Sequence, residues 1–173
     1  DKVIIFTSTS KITFPGAGVA ALAASPSNVT AIKKRMSRQT IGPDKINQLR
    51  HARMFPNLAA VHEHMKLHAS VMRPKFETVL NELEKQLGDL GIATWTRPNG
   101  GYFISLFTQE GCAKKVVYLC SQAGLNLTSA GATYPYGIDP KDSNIRIAPS
   151  FPMPDELQTA TELLCTVIRL VTL

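Results

Sequence analysis

Val3-Ile4-Ile5-Phe6-Thr7-Ser8-Thr9-Ser10-Lys11 opens the chain with four consecutive apolar residues, followed by four hydroxyl-bearing residues and a lysine. An unbroken β-branched run of this kind is the pattern of a strand covered on both faces, as the parallel strands of α/β sheets are. The hydroxyl run marks where that strand ends. The reading is therefore a buried, central, parallel strand over residues 3–6. Its sheet neighbours must come from elsewhere, so the chain is expected to lack its own front end. Open α/β sheets gather their ligands outside the carboxyl ends of their strands, which is where Ser8-Thr9-Ser10-Lys11 stands.

Outward from that strand, Pro15-Gly16-Ala17-Gly18 is expected to lead into an alanine-rich helix, and Ser25-Pro26-Ser27 resets the chain before a helix over 28–36. A loop around Gly42-Pro43 follows. Apolar residues at 61, 65, 72, 76, 79, 80, 83 and 87 form one helical stripe over 57–87. Pro74 falls inside it, which predicts a kink or a break near Val71 because proline removes a backbone donor and crowds the preceding turn. Strands over 92–97 and 102–107 flank the turn Pro98-Asn99-Gly100-Gly101, a hairpin signal. A helix over 112–123 closed by Gly124, short strands over 125–128 and 145–148, and a last helix over 154–170 complete an α+β layer expected to pack on the long helix.

The composition agrees with a folded chain. The 173 residues are 44% apolar and 18% charged, which excludes disordered, collagen-like and coiled-coil classes. No apolar run approaches the ~18–20 residues of a membrane span. The amino terminus lacks a leader pattern, and Cys112, Cys120 and Cys165 show no paired spacing. Both features predict a cytoplasmic chain with reduced core thiols. A net charge of +6 raises nucleic acid as a partner. The basic clusters are short and separate and 7% of residues are aromatic, which argues against a nucleic-acid surface.

Four constellations could carry chemistry. Lys11 lies between hydroxyls and the apolar Ile12 and Phe14. A partly desolvated lysine becomes a nucleophilic amine that condenses with carbonyls such as that of pyridoxal phosphate (PLP), and the nearby hydroxyls could bind a phosphate. A surface lysine in a polar loop fits the same residues. Gly16-Ala17-Gly18 with Ala21 imitates a dinucleotide fingerprint, but it begins too far from the strand and no acidic residue follows at the required distance. His64 and His68 have the spacing of a zinc pair, yet Met65 stands where a catalytic glutamate would be and no third ligand is near. A solvated helical face is the reading there, and no metal is expected. Arg146, between Ile145 and Ile147, offers a five-donor fork suited to a carboxylate; a structural ion pair is the alternative.

Read in order, Ser8-Thr9-Ser10-Lys11-Ile12-Thr13-Phe14 with Pro15-Gly16, Gln39-Thr40-Ile41-Gly42-Pro43-Asp44-Lys45, Pro98-Asn99-Gly100-Gly101-Tyr102-Phe103 and Asn144-Ile145-Arg146-Ile147-Ala148-Pro149-Ser150 resemble the carboxyl-terminal part of PLP-dependent fold-type I aminotransferases, in particular the aspartate-aminotransferase-like subgroup. The resemblance covers nearly the whole chain. It implies an α/β fold class: residues 1–46 as the last strand and PLP-lysine loop of the large domain, and 47–173 as an α+β small domain. It implies Lys11 as the catalytic, cofactor-holding lysine, Ser8 and Ser10 as phosphate ligands, and Arg146 as the arginine for the substrate α-carboxylate. Amino acid and 2-oxo acid substrates, with aspartate or glutamate as donor, and a homodimer are also implied. Arg38, near a loop that in dicarboxylate enzymes of this fold often reaches the partner subunit, is the candidate for a distal carboxylate; a solvated helix end is the alternative.

Two departures matter. Relatives often carry a phosphate-binding arginine in a pattern like P-G-x-R, and Gly18 stands there. The family's cofactor-ring partners come from a region preceding the lysine strand, so these 173 residues alone are not expected to transaminate. A PLP lyase or decarboxylase, a regulator's PLP-binding effector domain and an inactive truncated product share the same marks.

Overall fold

Val79, Leu83 and Leu87 recur every four residues and are fully buried, so one stripe of the long helix points into a core. The computed structural model describes residues 2–173. Its elements run β1 (Ile5–Ser8), β2 (Ala20–Ala23), α1 (Pro26–Met36), α2 (Lys45–Met54), α3 (Leu58–Leu87), β3 (Ala93–Trp95), β4 (Ile104–Thr108), α4 (Ala113–Gln122), a 3-10 turn at Pro135–Gly137, β5 (Asn144–Ile147) and α5 (Pro154–Thr172). The contacts divide the chain into two units, Asp1–His68 and Ala69–Leu173, with the boundary inside α3.

The second unit holds the apolar core. Its sheet has the order β3-β4-β5, antiparallel throughout, with Ala93 opposite Thr108 and Ile104 opposite Ile147. Alternation decides which residues enter: Ile104 and Leu106 are buried, Ser105 and Phe107 less so. Ile145 and Ile147 of β5, Val116 and Cys120 of α4, and Leu157, Leu164 and Ile168 of α5 close over the α3 stripe. Each buried aliphatic side chain contributes about 1.5–3 kcal/mol, which makes this layer the main hydrophobic term of the unit. Burial pushes the Cys120 thiol up to about 11 and the Cys165 thiol up to about 12, so both are unreactive packing groups. Cys112, half-buried, stands at the start of α4 outside that core.

The ends of these helices follow their residues. Ser25 and Asp44 accept the amides of Asn28 and Asn47 at 3.4 Å and 2.9 Å, starting α1 and α2. Gly124, with φ of 92°, lets the chain turn back so that the Leu125 amide reaches the Cys120 carbonyl at 2.8 Å and ends α4.

Several sequence expectations change. Residues 20–23 form β2, antiparallel to β1 with Ile5 opposite Ala23 and Ser8 opposite Ala20, in place of the expected alanine-rich helix. Pairing with a strand that needs a partner overrides the helix preference of alanine. β1 is accordingly neither parallel nor buried among the described residues: Ile5 is 61% and Phe6 73% exposed. The helix over 45–54 was not anticipated, because its residues carry no apolar stripe. Of the kink or break expected near Val71 the break does not occur, since α3 runs through Pro74 as one helix. The lost amide bond is one among many in a 30-residue helix anchored by its buried face. Residues 125–128 form no strand, and the sheet among the described residues consists of β3, β4 and β5.

A buried carboxylate organises the approach to β5. Burial alone would raise the Asp139 carboxyl, but the amides of Ser143 and Asn144, both 2.8 Å from Oδ2, and of Lys141, 3.0 Å from Oδ1, outweigh it and hold Asp139 below the usual carboxylate range. The carboxylate thus contributes stability that is present above the unfolded-state value of about 3.9 and is lost as pH falls through the lower folded value. Asp139→Ala should cost on the order of 2–3 kcal/mol at neutral pH, because it strands buried amides. Urea unfolding measured from about pH 7 down to about pH 2 should show the gap to the parent protein narrowing below about pH 4. A gap independent of pH would show that the charge contributes nothing.

Candidate functional site

Thr9 bonds to the far end of its own loop twice. Its amide donates to the Val19 carbonyl at 2.9 Å, and its hydroxyl oxygen accepts the Val19 amide at 2.9 Å. The Thr9 carbonyl accepts the amides of Ile12 at 2.9 Å and Thr13 at 2.8 Å, folding residues 9–13 into a tight turn. Lys11 lies in the middle of that turn and is exposed. The β1–β2 pair therefore displays a lysine on a loop closed at its base.

Ser8 and Ser10 lie beside it. Their hydroxyl oxygens are 2.7 Å apart, and the Ser10 amide donates to Ser8 Oγ at 3.1 Å. Gly18 packs directly on them: a Cβ there would stand 2.7 Å from the Ser10 nitrogen and 2.8 Å from its Cα, besides striking Oγ. No arginine can occupy position 18 without moving the serine loop, which accounts for the departure from P-G-x-R. The donor set next to Lys11 is two hydroxyls and loop backbone over a glycine, a cradle chemically suited to a phosphate ester. Arg38 is exposed, directly after Ser37, which caps the carboxyl end of α1, and its amide donates to the Arg35 carbonyl at 3.1 Å.

His64 and His68 depart from the expected solvated face, whereas His62 beside them is exposed. His64 and His68 are half-buried with ring centroids 4.5 Å apart, and His64 Nε2 lies 3.2 Å from the Thr13 carbonyl. The His64 ring also meets Phe55 edge-on at 5.1 Å. Among the described residues no group of three histidine, cysteine or acidic side chains could hold a metal ion.

Arg146 belongs to the second unit. It stands on β5 opposite Ser105, on the face away from Ile145 and Ile147, and is half-buried. Its guanidinium lies 4.4 Å from the centre of the Phe103 ring. Its Nε is buried without a hydrogen-bond partner, and among the described residues no ion pair involves it. The structural ion pair considered from sequence is thus not found there. Asn144, two residues before, is fixed by bonds to Ser105 Oγ at 2.8 Å and to the Leu106 carbonyl at 3.2 Å, and accepts Thr133 Oγ1 at 2.6 Å. An arginine stacked on an aromatic ring, with donor capacity unspent, can grip a planar anion.

Sequence reading named Lys11, Ser8, Ser10, Arg38 and Arg146. It missed His51, Ser105 and Asp139. Asp139 had a local signal, an aspartate in a Gly-Ile-Asp-Pro turn; His51 had none.

The sequence pattern of the aspartate amino-transferase family matches residues 1–173, the whole chain. The chain belongs to that family. An aspartate aminotransferase of Corynebacterium glutamicum is 44% identical over 165 residues, covering 95% of this chain and 38% of that protein. A Mycolicibacterium smegmatis protein assigned to the aminotransferases is 46% identical over 166 residues, covering 96% of this chain and 39% of the relative. The chain spans about two fifths of the length of these curated relatives. A solved aspartate transaminase from Corynebacterium glutamicum superposes with a TM-score of 0.92 at 44% identity, over 96% of this chain and 39% of that one. The kynurenine aminotransferase of Pyrococcus horikoshii, at 20% identity and a TM-score of 0.82 over 96% of this chain and 40% of that one, shares the fold. This chain therefore has the mixed α/β fold of part of an aminotransferase.

The tight approach of Gly18 to Ser10 yields a test on this family member. Gly18→Ala should open the base of the loop, because its Cβ meets backbone atoms that cannot rotate away. Amide exchange at Val19 and Thr13 should accelerate by about tenfold to a hundredfold, the equivalent of ~1.4–2.8 kcal/mol of local stability. Unchanged exchange would mean that the loop absorbs a methyl group freely.

Proposed function

We propose that this chain is the carboxyl-terminal part of a PLP-dependent aminotransferase that moves an amino group from an amino acid to a 2-oxo acid. In this reading residues 1–46 end the large PLP-binding domain and 47–173 form the small domain. The observation that carries it is the closed loop presenting Lys11 beside the Ser8 and Ser10 hydroxyls, over a glycine that admits no side chain. Membership of the family and the likeness to a Corynebacterium glutamicum aspartate transaminase support it. The intact protein would be a cytoplasmic homodimer, as the family resemblance implies.

When bound, PLP supplies the electron sink that makes the amino-acid Cα–H bond acidic. The chain supplies the rest. Lys11 would hold the cofactor through its amine and would serve as the general base and acid for the proton of the substrate carbon. Ser8 and Ser10 would turn their hydroxyl hydrogens to the phosphate in place of the bond they make to each other at 2.7 Å. Arg146 holds the substrate α-carboxylate with its fork, and the Phe103 ring fixes the guanidinium plane so that the carboxylate is met edge to edge. For aspartate or glutamate a second cation must meet the distal carboxylate, since leaving it buried and unpaired costs several kcal/mol. Arg38 is the candidate for that contact.

In the full-length protein, Lys11→Ala should abolish cofactor fixation by borohydride and reduce turnover by orders of magnitude. Peptide mass mapping after borohydride reduction reads this directly, and cofactor found on another lysine would refute the assignment. Arg146→Lys should lower kcat/KM for carboxylate donors by at least ~2 kcal/mol, because an ammonium cannot reproduce two parallel bonds. Amines lacking the carboxylate should be nearly indifferent, and equal losses for both would remove the role. Arg38→Ala should reduce aspartate turnover by about tenfold to a hundredfold while alanine changes little, and parallel losses would return Arg38 to the surface.

A further inference from the structure

Thr13, two residues after Lys11, is 3% exposed and is the one buried residue of the first unit among the described residues. His64 of α3 meets its carbonyl, and one face of α2 meets its side chain. Asn47, Arg50 and His51 are spaced three and four apart, so their side chains lie together on that helix. Each reaches the lysine loop. Asn47 Nδ2 donates to the Gly18 carbonyl at 3.2 Å, and Asn47 Oδ1 accepts from Arg50 Nη2 at 2.6 Å. The Arg50 guanidinium lies 4.6 Å from the centre of the Phe14 ring. His51 Nε2 lies 2.8 Å from Thr13 Oγ1 and 3.4 Å from Thr9 Oγ1, while its ring meets Phe14 edge-on at 5.1 Å.

The other ring nitrogen settles the chemistry of that contact. His51 Nδ1 lies 2.9 Å from the Asn47 carbonyl oxygen, an atom that can accept a hydrogen bond and cannot give one. Nδ1 therefore carries a hydrogen, and in the neutral ring Nε2 presents its lone pair to the threonine hydroxyls. The Thr13 hydroxyl, whose single hydrogen also has the Thr9 carbonyl at 3.1 Å and Thr9 Oγ1 at 3.0 Å within reach, donates to this nearer acceptor at 2.8 Å. Thr9 Oγ1, which already accepts the Val19 amide and lies 3.0 Å from Thr13 Oγ1, completes the chain. The helix backbone thus sets the tautomer, the tautomer makes Nε2 an acceptor, and the acceptor holds residue 13 while Thr9 holds the other end of the turn.

We infer that His51 is a positioning residue for Lys11: as a hydrogen-bond acceptor for Thr13 it fixes the turn from beneath, so that the lysine amine is presented in one direction. The inference rests on the reading of Lys11 as the cofactor lysine. It goes beyond packing, because an aromatic ring of the same size would fill the space against Phe14 and yet offer Thr13 nothing.

The experiment uses the full-length protein and PLP itself as probe. The rate at which PLP becomes fixable on Lys11 by borohydride is measured by peptide mass, alongside the melting temperature of the cofactor-free protein. His51→Phe keeps the ring and removes the acceptor; His51→Gln places an amide oxygen near the position of Nε2; Thr13→Val keeps the shape and removes the donor. His51→Phe and Thr13→Val should each slow fixation by about tenfold, and the double variant should be no slower than Thr13→Val alone, since the bond between the two residues is lost in each while Thr13→Val also gives up the contacts of its hydroxyl with the Thr9 carbonyl and Thr9 Oγ1. His51→Gln should recover to within about threefold of the parent, although its melting temperature is no higher than that of His51→Phe. Equal slowing in the Gln and Phe variants, parent-like rates in His51→Phe, or multiplying losses in the double variant would each overturn the role. If His51→Phe does not fold, His51→Leu takes its place as the variant without an acceptor, a rate about tenfold below the parent supporting the role and a parent-like rate overturning it. Parent protein that fixes no cofactor on Lys11 would instead overturn the reading of the lysine, and the inference with it.

Discussion

Thr9 closes the loop on which the proposed chemistry depends, through two hydrogen bonds to Val19. Its amide and hydroxyl both engage the same distant residue, so the eleven-residue segment from Thr9 to Val19 has fixed ends. Once the ends are fixed, β1 and β2 continue as an antiparallel pair and Lys11 stands in the tight turn that follows Thr9. The same closure brings Gly18 against the Ser10 backbone, where a side chain would have no room. An anion bound beside Lys11 would thus be held by hydroxyls and backbone, and a cation at position 18 is sterically excluded. Closure of a loop costs chain entropy, and here two short bonds and the tight turn after Thr9 offset it.

The two units are stabilised by different physics. Ala69–Leu173 is held by an apolar core in which residues of α3, β4, β5, α4 and α5 are fully buried. In Asp1–His68 the grip is polar and aromatic: Thr13 is buried with its side chain against α2, and Phe14, His51, Phe55 and His64 meet ring to ring. Polar contacts are directional, so they fix a loop in one geometry; apolar area is not, so it supplies stability without specifying where a lysine points. Arg146 shows both at once. Ile145 and Ile147 anchor its strand in the core, and Phe103 and the bound Asn144–Ser105 pair define the face on which the guanidinium lies.

Much of the second unit was legible in the sequence, because its elements follow hydrophobic periodicity. The stripe ending in Val79, Leu83 and Leu87, the hairpin around Pro98-Asn99-Gly100-Gly101 and the alternation around Arg146 all describe burial that the residues themselves enforce. The first unit was less legible for the same reason. Ala20–Ala23 carries a helix-forming composition and pairs as a strand, and Lys45–Met54 forms a helix with no apolar stripe to announce it. The lysine, the two serines and Arg146 were visible as residue types in order along the chain. His51 was not, since a single histidine 38 residues from Thr13 leaves no local pattern.

The sequence by itself determined the family, the order of most elements and the residues capable of the chemistry, because composition, periodicity and motif order are properties of the chain read in one dimension. The tertiary structure alone decided that β1 pairs with β2, that Gly18 must lack a side chain, that Asp139 is a buried carboxylate held by three amides, and that His51 faces the lysine loop. Each of these rests on atoms within about 3 Å of one another in space. Sequence spacing carries such information when a helix or strand repeats it, and a loop closing on a distant helix repeats nothing.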